Sequence, residues 1–246
     1  MNRMLILYIF LLLCGTVSAQ QIVEWSDLQT ITDNSRRTVY YKKGRKQPLR
    51  GKYRIIRGLD EEHVKLSDGM INGDYHRYRD GVLRESGIYV KGKRNGTFTE
   101  YYQDGVTPRK ETPMQQGKID GTVKTYFRNG KIEAEKEYKQ SVESGRERRF
   151  DSKTGEQIFE SHYIDGKKDG EEWEIFEDGR AIRSKTTCHY RNGKLDGSYR
   201  VESTRDGKPY ITIEGQYTDG EKSGQWIEHN YDNNTQTCTW HGEGGA

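Results

Sequence analysis

The chain has 246 residues and is nearly neutral, with 41 Lys and Arg against 38 Asp and Glu, and only 31% of its residues are hydrophobic. So low an apolar fraction argues against a thick hydrophobic core. The 17 Tyr, 6 Phe and 4 Trp and the net charge of only +3 argue against disorder, since disordered chains are usually poor in aromatic residues and highly charged. The 28 Gly and 4 Pro suit a chain of many turns and unbroken strands. These numbers predict an ordered, thin, repeat-built protein.

Residues 1–19 have the features of a secretory signal peptide. A basic residue is followed by an apolar stretch over residues 4–13, and Val17-Ser18-Ala19 offers small residues for cleavage before Gln20. The apolar stretch is too short to span a bilayer comfortably, so we expect cleavage and export to the periplasm, the cell surface or the medium. Lipid attachment at Cys14 is the alternative, but a leucine stands before it where lipoprotein signals have a small residue.

Residues 20–65 are predicted to form a basic N-terminal cap and a divergent first repeat. Between residues 35 and 59 there are ten Lys or Arg and no acidic residue. This segment predicts attraction to a polyanion, either an anionic envelope surface or an acidic glycan, and export argues against nucleic acid. The alternative is that the charges protect an exposed edge strand from pairing. The candidate patch comprises Arg36, Arg37, Lys42, Lys43, Arg45, Lys46, Arg50 and Lys52.

Residues 66–241 repeat one pattern seven times, at a spacing of 23 to 27 residues. Each unit begins with a spacer of the form Gly-x-x-x-Gly, as in the YVKGKRNG that starts at Tyr89 and the YIDGKKDG that starts at Tyr163. A run of aromatic and β-branched residues then leads to an Asp-Gly or Asn-Gly pair. Repeats of this length form arrays rather than a single globule. The unit around residues 143–155 is a degenerate copy, and residues 242–246 are expected to be a flexible tail.

Each unit is predicted to contain two strands and two turns. The strand begins after the second glycine of the spacer, and a type I′ hairpin turn is expected at Asp80-Gly81, Asp104-Gly105, Asn129-Gly130, Asp178-Gly179 and Asp206-Gly207. A return strand follows, and the next spacer reverses the chain again. The predicted fold is therefore all-β, an elongated antiparallel β-meander of about fourteen strands in a single layer, built from tandem hairpin repeats. Contacts between aromatic rings are expected to replace a buried interior.

Large residues recur at two places after the second glycine of each unit. Tyr75 and Phe98 hold the second place, and Tyr78 and Tyr101 hold the fifth. Residues three apart lie on opposite faces of a regular strand, so either both faces carry aromatic residues or a bulge turns one of them. Exposed aromatic residues often mark an interface. The candidate aromatic surface comprises Tyr101, Tyr126, Trp173 and Trp226.

The sequence contains no recognisable catalytic constellation. A Gly-x-Ser-x-Gly elbow, a phosphate-binding loop and a His-Glu-x-x-His motif are all missing, so we expect no catalytic residues and no cofactor. Cys188 and Cys238 lie about four predicted strands apart, roughly 19 Å, too far for a disulfide within the chain. The same separation argues against a zinc site formed with His189 and His241.

The Tyr-x-x-Gly-Lys-x-Asp/Asn-Gly spacer, the Tyr or Phe about five residues later and the Asp/Asn-Gly turn resemble MORN repeats, in the variant of bacterial exported and antitoxin-like proteins. The resemblance covers about residues 66–232, although the Gly-x-Gly that follows the spacer in typical units is missing. It implies an elongated β-ribbon that serves as a scaffold or binding surface, without catalytic residues in the repeat.

Three functions follow from these patterns. The first is an exported, non-enzymatic scaffold that presents its aromatic residues to a protein partner, with self-association through edge strands as a variant. The second is an envelope polyanion- or carbohydrate-binding protein. A row of regularly spaced rings favours the second function, whereas rings packed in pairs count against it. An enzyme, the third, needs a closed pocket that a single-layer ribbon does not supply.

Overall fold

The computed structural model describes residues 19–179 and 181–242, and these residues form an almost entirely β structure. Of the predicted signal peptide only residue 19 is described, and of the predicted tail only residue 242. The rest of both segments lies outside the described residues. A single-turn 3-10 helix occupies Trp25–Asp27. The strands are β1 (Gln21–Glu24), β2 (Leu28–Thr32), β3 (Thr38–Lys42), β4 (Gly51–Arg57), β5 (Asp60–Ser67), β6 (Met70–Arg79), β7 (Val82–Val90), β8 (Lys93–Tyr101), β9 (Pro108–Gln115), β10 (Lys118–Ile119), β11 (Gly121–Tyr126), β12 (Ile132–Lys139), β13 (Val142–Phe150), β14 (Gln157–Ile164), β15 (Lys167–Lys168), β16 (Gly170–Glu177), β17 (Ile182–Arg191), β18 (Lys194–Arg205), β19 (Lys208–Thr218), β20 (Glu221–Asn230) and β21 (Thr235–His241).

Nineteen of these strands form one long sheet in which each strand pairs with the next along the chain. From β4 to β21 all pairs are antiparallel, and the two-residue strands β10 and β15 are the beginnings of β11 and β16. Counting each of them with the strand that it begins leaves fourteen strands between Met70 and His241. The predicted antiparallel meander is thus confirmed. β1 pairs in parallel with β4, and β2 and β3 form a separate hairpin.

The tightest reversals lie at the first glycine of each spacer. In Lys91-Gly92 and Asn192-Gly193, for example, both residues have positive φ, as a type I′ turn requires. The next strand starts at once, so β6 and β8 begin before the second glycine, and the prediction that they begin after it was wrong. The second glycine lies instead in a bulge. In β6, Gly73 has φ 120° and lies among three residues that oppose the single Lys65 of β5.

The predicted type I′ turns are confirmed at two places and wrong at three. Asp80-Gly81 and Asp206-Gly207 have positive φ at both residues. At Gly105, Gly130 and Gly179 only the glycine of the pair has positive φ, and the loop is longer. Each of these loops combines a turn with one left-handed glycine, a geometry that Asp-Gly and Asn-Gly also satisfy.

A small hydrophobic core lies at the N-terminal end, which the sequence did not predict. The hairpin of β2 and β3 packs over β4, β5 and β6, and the buried cluster joins both layers. We call the covered side of the sheet the hairpin face and the other side the open face. The buried cluster consists of Leu28, Tyr40, Tyr53, Ile55, Val64, Leu66, Ile71, Tyr75 and Phe98.

The residues at the second place after the second glycine lie on the hairpin face. At each end of the sheet two such rings pack with the tyrosine that opens a unit, which gives a group of three rings. The centroids of Tyr75, Tyr89 and Phe98 lie 5.2 to 6.3 Å apart. Near the other end of the sheet, the rings of Tyr199, Tyr217 and Trp226 lie 5.3 to 5.5 Å apart. These separations are those of favourable aromatic pairs. Ring contacts of the expected kind are therefore present at both ends, but at the N-terminal end Tyr75 and Phe98 belong to the buried cluster, so there the rings do not replace a buried interior.

Candidate binding surfaces

The predicted basic patch is divided by strand β3. Arg36 and Arg37 lie in the turn that precedes β3, whereas Lys42 ends it, and at five residues the strand separates the two groups by roughly 17 Å. The remaining members lie beyond Lys42: Lys43, Arg45 and Lys46 in the connection to β4, and Arg50 and Lys52 where β4 begins. All eight are exposed except Arg37, which is half-buried.

Two members of the basic patch are already paired with carboxylates. Arg37 Nε lies 2.7 Å from Asp33 Oδ2, and the backbone hydrogen bond from Arg37 holds the pKa of Asp33 below its usual value. Arg50 forms an ion pair with Asp68. The other six have no carboxylate within ion-pair distance among the residues that the structure describes. The group around Lys42 is therefore the part of the patch that retains an uncompensated positive charge.

Tyr101 and Tyr126 lie half-buried on the open face, at the fifth place of consecutive units. Each hydroxyl bonds to a side chain of the preceding return strand: Tyr101 Oη lies 3.0 Å from Ser86 Oγ, and Tyr126 donates to Glu111 Oε2 at 2.6 Å. Burial and the hydrogen bond to Glu111 raise the pKa of Tyr126 to about 12. The two strands that carry them, β8 and β11, are separated by one strand, so the rings recur about every 10 Å.

The two tryptophans of the predicted aromatic surface lie on opposite faces. Trp173 is half-buried on the open face, with Lys185 Nζ 5.0 Å from its ring centroid. Trp226 is only 6% exposed and belongs to the second ring group of the hairpin face. Trp226 is the second residue after the second glycine of its unit, whereas Tyr101 is the fifth in its own unit. Because side chains alternate along a strand, the two rings lie on opposite faces of the sheet. The inclusion of Trp226 in an exposed surface was therefore wrong. The three remaining rings make no ring–ring contact with any other described aromatic residue.

Between these rings the open face carries rows of alternating charge. Lys124, Glu135 and Arg148 lie on three adjacent strands, and Glu135 is within 3.4 Å of Lys124 Nζ and 2.7 Å of an Arg148 nitrogen. Such pairs on a half-exposed sheet contribute little stability each. Because these charges are paired, the open face carries aromatic rings and ion pairs side by side, with no large excess of positive or negative charge along this row.

A cluster of arginines on the hairpin face was not among the predicted site residues, although one of its members, Arg57, lies in the basic segment 35–59. Arg57 ends β4 and Arg79 ends β6, and both are paired in register with Asp60, the first residue of the strand between them. The Arg57 guanidinium lies 3.7 Å from the centre of the Trp25 ring. Together with Arg77, these residues line a cleft of about 200 Å³ beneath the 3-10 helix. The sequence feature that could have revealed this cluster is position, since Arg57 and Arg79 each directly precede a turn.

Buried carboxylates lie beside this cleft. Glu62 is in the cleft wall and accepts a hydrogen bond from Tyr75 Oη at 3.3 Å, and burial raises its pKa above the usual value. Glu85 is 7% exposed and lies 2.8 Å from Arg94 and 3.4 Å from Arg77. Glu85 therefore engages Arg77, whereas Arg57 and Arg79 make no ion pair with any described carboxylate.

Comparison of the sequence with models of known protein families finds no match, and comparison with curated proteins finds none either. The resemblance to MORN repeats therefore stays a prediction from the repeat spacing. Among the described residues there is no helix with the length and apolar character needed to cross a membrane. The same residues contain no group of three or more His, Cys, Asp or Glu placed to hold a metal ion.

Proposed function

We propose that this chain is an exported, non-enzymatic repeat protein whose open face is a binding surface for a protein partner. The observation that carries the proposal is the row formed by Tyr101, Tyr126 and Trp173. These rings are half-buried and free of contacts with other described rings, with Tyr126 two strands from Tyr101 and Trp173 four strands beyond Tyr126. Aromatic side chains held in this way supply large contact areas at a small entropic cost when a partner covers them.

The row also has the rigidity that a binding surface needs. Ser86 and Glu111 fix the hydroxyls of Tyr101 and Tyr126, and the strands that carry them are paired on both sides. A partner would therefore order few side chains on binding. The compensated charges between the rings would serve as the polar rim, which influences the rate of association and the choice of partner.

The test is quantitative partner retention by the mature protein from Gln20 onward. Cross-linking in envelope and secreted fractions, followed by mass spectrometry, would compare wild type with the triple variant Tyr101→Ala, Tyr126→Ala, Trp173→Ala. The matched control is Phe176→Ala, an aromatic residue that is 64% exposed and adjacent in sequence to the open-face Ile175 but on the other face. We expect at least tenfold loss of a retained partner in the triple variant and no loss in the control. Equal retention by the triple variant would exclude the open face as the site.

A second candidate function is binding of an envelope polyanion or carbohydrate. The open-face rings that make no ring–ring contact favour sugar stacking, and the group around Lys42 favours an anionic surface. Reversal of Lys42, Lys43, Arg45 and Lys46 to Glu should then reduce binding to anionic liposomes or acidic glycans. Unchanged binding would remove this group from consideration.

A further inference from the structure

We propose that the cleft between the 3-10 helix and the ends of β4 and β6 binds an acidic saccharide. Arg57 and Arg79 would hold a carboxylate or sulfate of the sugar, and Asp60 would accept hydrogen bonds from its hydroxyls. This inference deepens the second candidate function and rests on it, but it uses residues outside the predicted basic patch and, apart from Tyr101 in the adjoining groove, outside the aromatic row.

The two guanidinium groups are prepared for an anionic ligand. Trp25 supports Arg57 through a stacking contact at 3.7 Å, which fixes the planar group and covers one of its faces. Arg79 is exposed and makes no ion pair in the part of the chain that the structure describes. A planar guanidinium donates two parallel hydrogen bonds to a carboxylate or sulfate. Arg57 and Arg79, one on each side of Asp60, would therefore bind one anionic group together.

The carboxylates in the same cleft restrict the class of ligand. Asp60 lies in register with both arginines, and Glu62 lines the wall. Inorganic phosphate brings at most two P–OH donors beside its negative charge, and the phosphodiester group of a lipid itself brings none, so these two carboxylates would repel both. A sugar also brings hydroxyl donors, which the carboxylates can accept. The mixture of guanidinium and carboxylate groups therefore favours a ligand that is both anionic and hydroxylated.

The cleft continues into a second groove, which favours a chain of several sugar units. This groove shares Arg77 and Arg79 with the cleft and adds Arg84, Glu100, Tyr101, Gln103 and Arg109. Arg109 is paired with Glu100, and Arg84 donates to the backbone carbonyl of Tyr102 at 3.3 Å. The guanidinium groups thus follow one direction across β4 to β9, as a ligand with repeated negative charges requires.

The experiment is a binding titration of the mature protein with five probes: a galacturonic acid hexasaccharide, a heparin-derived hexasaccharide, maltohexaose, inorganic phosphate and dihexadecyl phosphate vesicles. We expect binding of one or both acidic hexasaccharides and at least tenfold weaker binding of the other three. The double variant Arg57→Gln, Arg79→Gln should lose at least tenfold in affinity. The control Arg191→Gln, an exposed arginine with an ion pair of 3.8 Å to Asp196, should stay within twofold of wild type.

Three results would overturn the proposal: no binding of either acidic hexasaccharide, equal loss in the control, or phosphate or vesicles binding as tightly as the sugars. Asp60→Asn gives a second readout, because it should lower the preference for acidic hexasaccharide over inorganic phosphate. The open-face double variant Tyr126→Ala, Trp173→Ala should bind the sugars normally, and the double arginine variant should retain the protein partner. Reversal of the charges around Lys42 tests the second candidate function separately, so failure of the cleft is distinguishable from failure of either function.

Discussion

Gly87 lies directly against the ring of Phe98, and a β-carbon built on Gly87 would stand 2.6 Å from Phe98 Cδ1. Phe98 is 2% exposed and packs edge-on against Tyr89, so the ring cannot move aside. We expect Gly87→Ala to lower the free energy of unfolding by roughly 1–3 kcal/mol, as overpacking does. Denaturant unfolding of Gly87→Ala, Phe98→Leu and the double variant would check this. The steric cause requires the double variant to be more stable than the sum of the single effects, and strict additivity would contradict it.

Gln116 occupies a position that suits asparagine better. Its φ is 51°, and it precedes Gly117 in a type I′ turn. Asparagine adopts left-handed backbone conformations at lower cost than glutamine, so we expect Gln116→Asn to raise the free energy of unfolding by roughly 0.5–1 kcal/mol. Gln115→Asn is the control, because Gln115 lies in a strand, where asparagine is disfavoured. A gain in the control equal to that at Gln116 would show that the turn is not the cause.

The repeat array was predictable because its signals are local. Pairs such as Asp80-Gly81 encode their own turn, and a chain that reverses every ten residues or so has an antiparallel meander as its simplest arrangement. The parallel pairing of β1 with β4 and the covering hairpin were not predictable, because they depend on a buried cluster that brings together residues far apart in the sequence, from Leu28 to Phe98. In the central units charged residues stand where other units have an aromatic residue at the second place after the glycine. These units nevertheless continue the antiparallel pairing of the meander.

The candidate sites were less predictable than the fold. Composition located the basic segment but could not show that β3 divides it, nor that Asp33 and Asp68 neutralise two of its members. Trp226 was assigned to the exposed aromatic surface, yet strand alternation places it in a ring group of the hairpin face, where it is 6% exposed. The arginine cleft arises from the register of three strands, which a count of charges along the chain cannot detect.

Asp104 should make the loop after β8 sensitive to acid. Its carboxylate accepts hydrogen bonds from the Thr107 hydroxyl and from the backbone N–H groups of Val106 and Thr107, which lower its pKa from 3.8 to about 2. Because the folded-state pKa lies below the unfolded one, the stabilisation is complete above pH 3.8 and is lost as the pH falls through 2. An NMR titration of the carboxyl carbon would measure this pKa. Thr107→Val should raise it, and a wild-type value near 3.8 would contradict the hydrogen-bond geometry.

Cys188 and Cys238, the two cysteines among the described residues, should differ sharply in reactivity. Cys188 is buried in β17, and burial together with the negative charge of Glu172 raises its pKa to about 11, whereas Cys238 is exposed on β21. Since the thiolate is the reactive form, we expect one rapid and one very slow equivalent with a thiol reagent at pH 8. Cys238→Ser should abolish the rapid phase and Cys188→Ser the slow one. Two rapid equivalents would contradict the burial of Cys188.

Strand β21 is the edge of the described sheet with the least protection. It pairs only with β20, is seven residues long, and contains neither proline nor an Asp, Glu, Lys or Arg. The backbone N–H of Tyr231 bonds to the Tyr210 carbonyl, which directs alternate groups of β20 toward β19. By the same alternation, the groups of β21 that point away from β20 belong to Gln236, Cys238 and Trp240.

The self-association expected of edge strands should therefore occur through β21, as an antiparallel pair of two copies centred on Cys238. Sedimentation of the mature protein should show a dimer at high concentration. Gln236→Pro removes an outward N–H without touching the pairing to β20, so it should give a folded monomer. Thr237→Pro removes an N–H that faces β20 and should instead destabilise the last hairpin. A wild-type protein that is monomeric at every concentration, or a Gln236→Pro variant that still dimerises, would show that this edge does not pair.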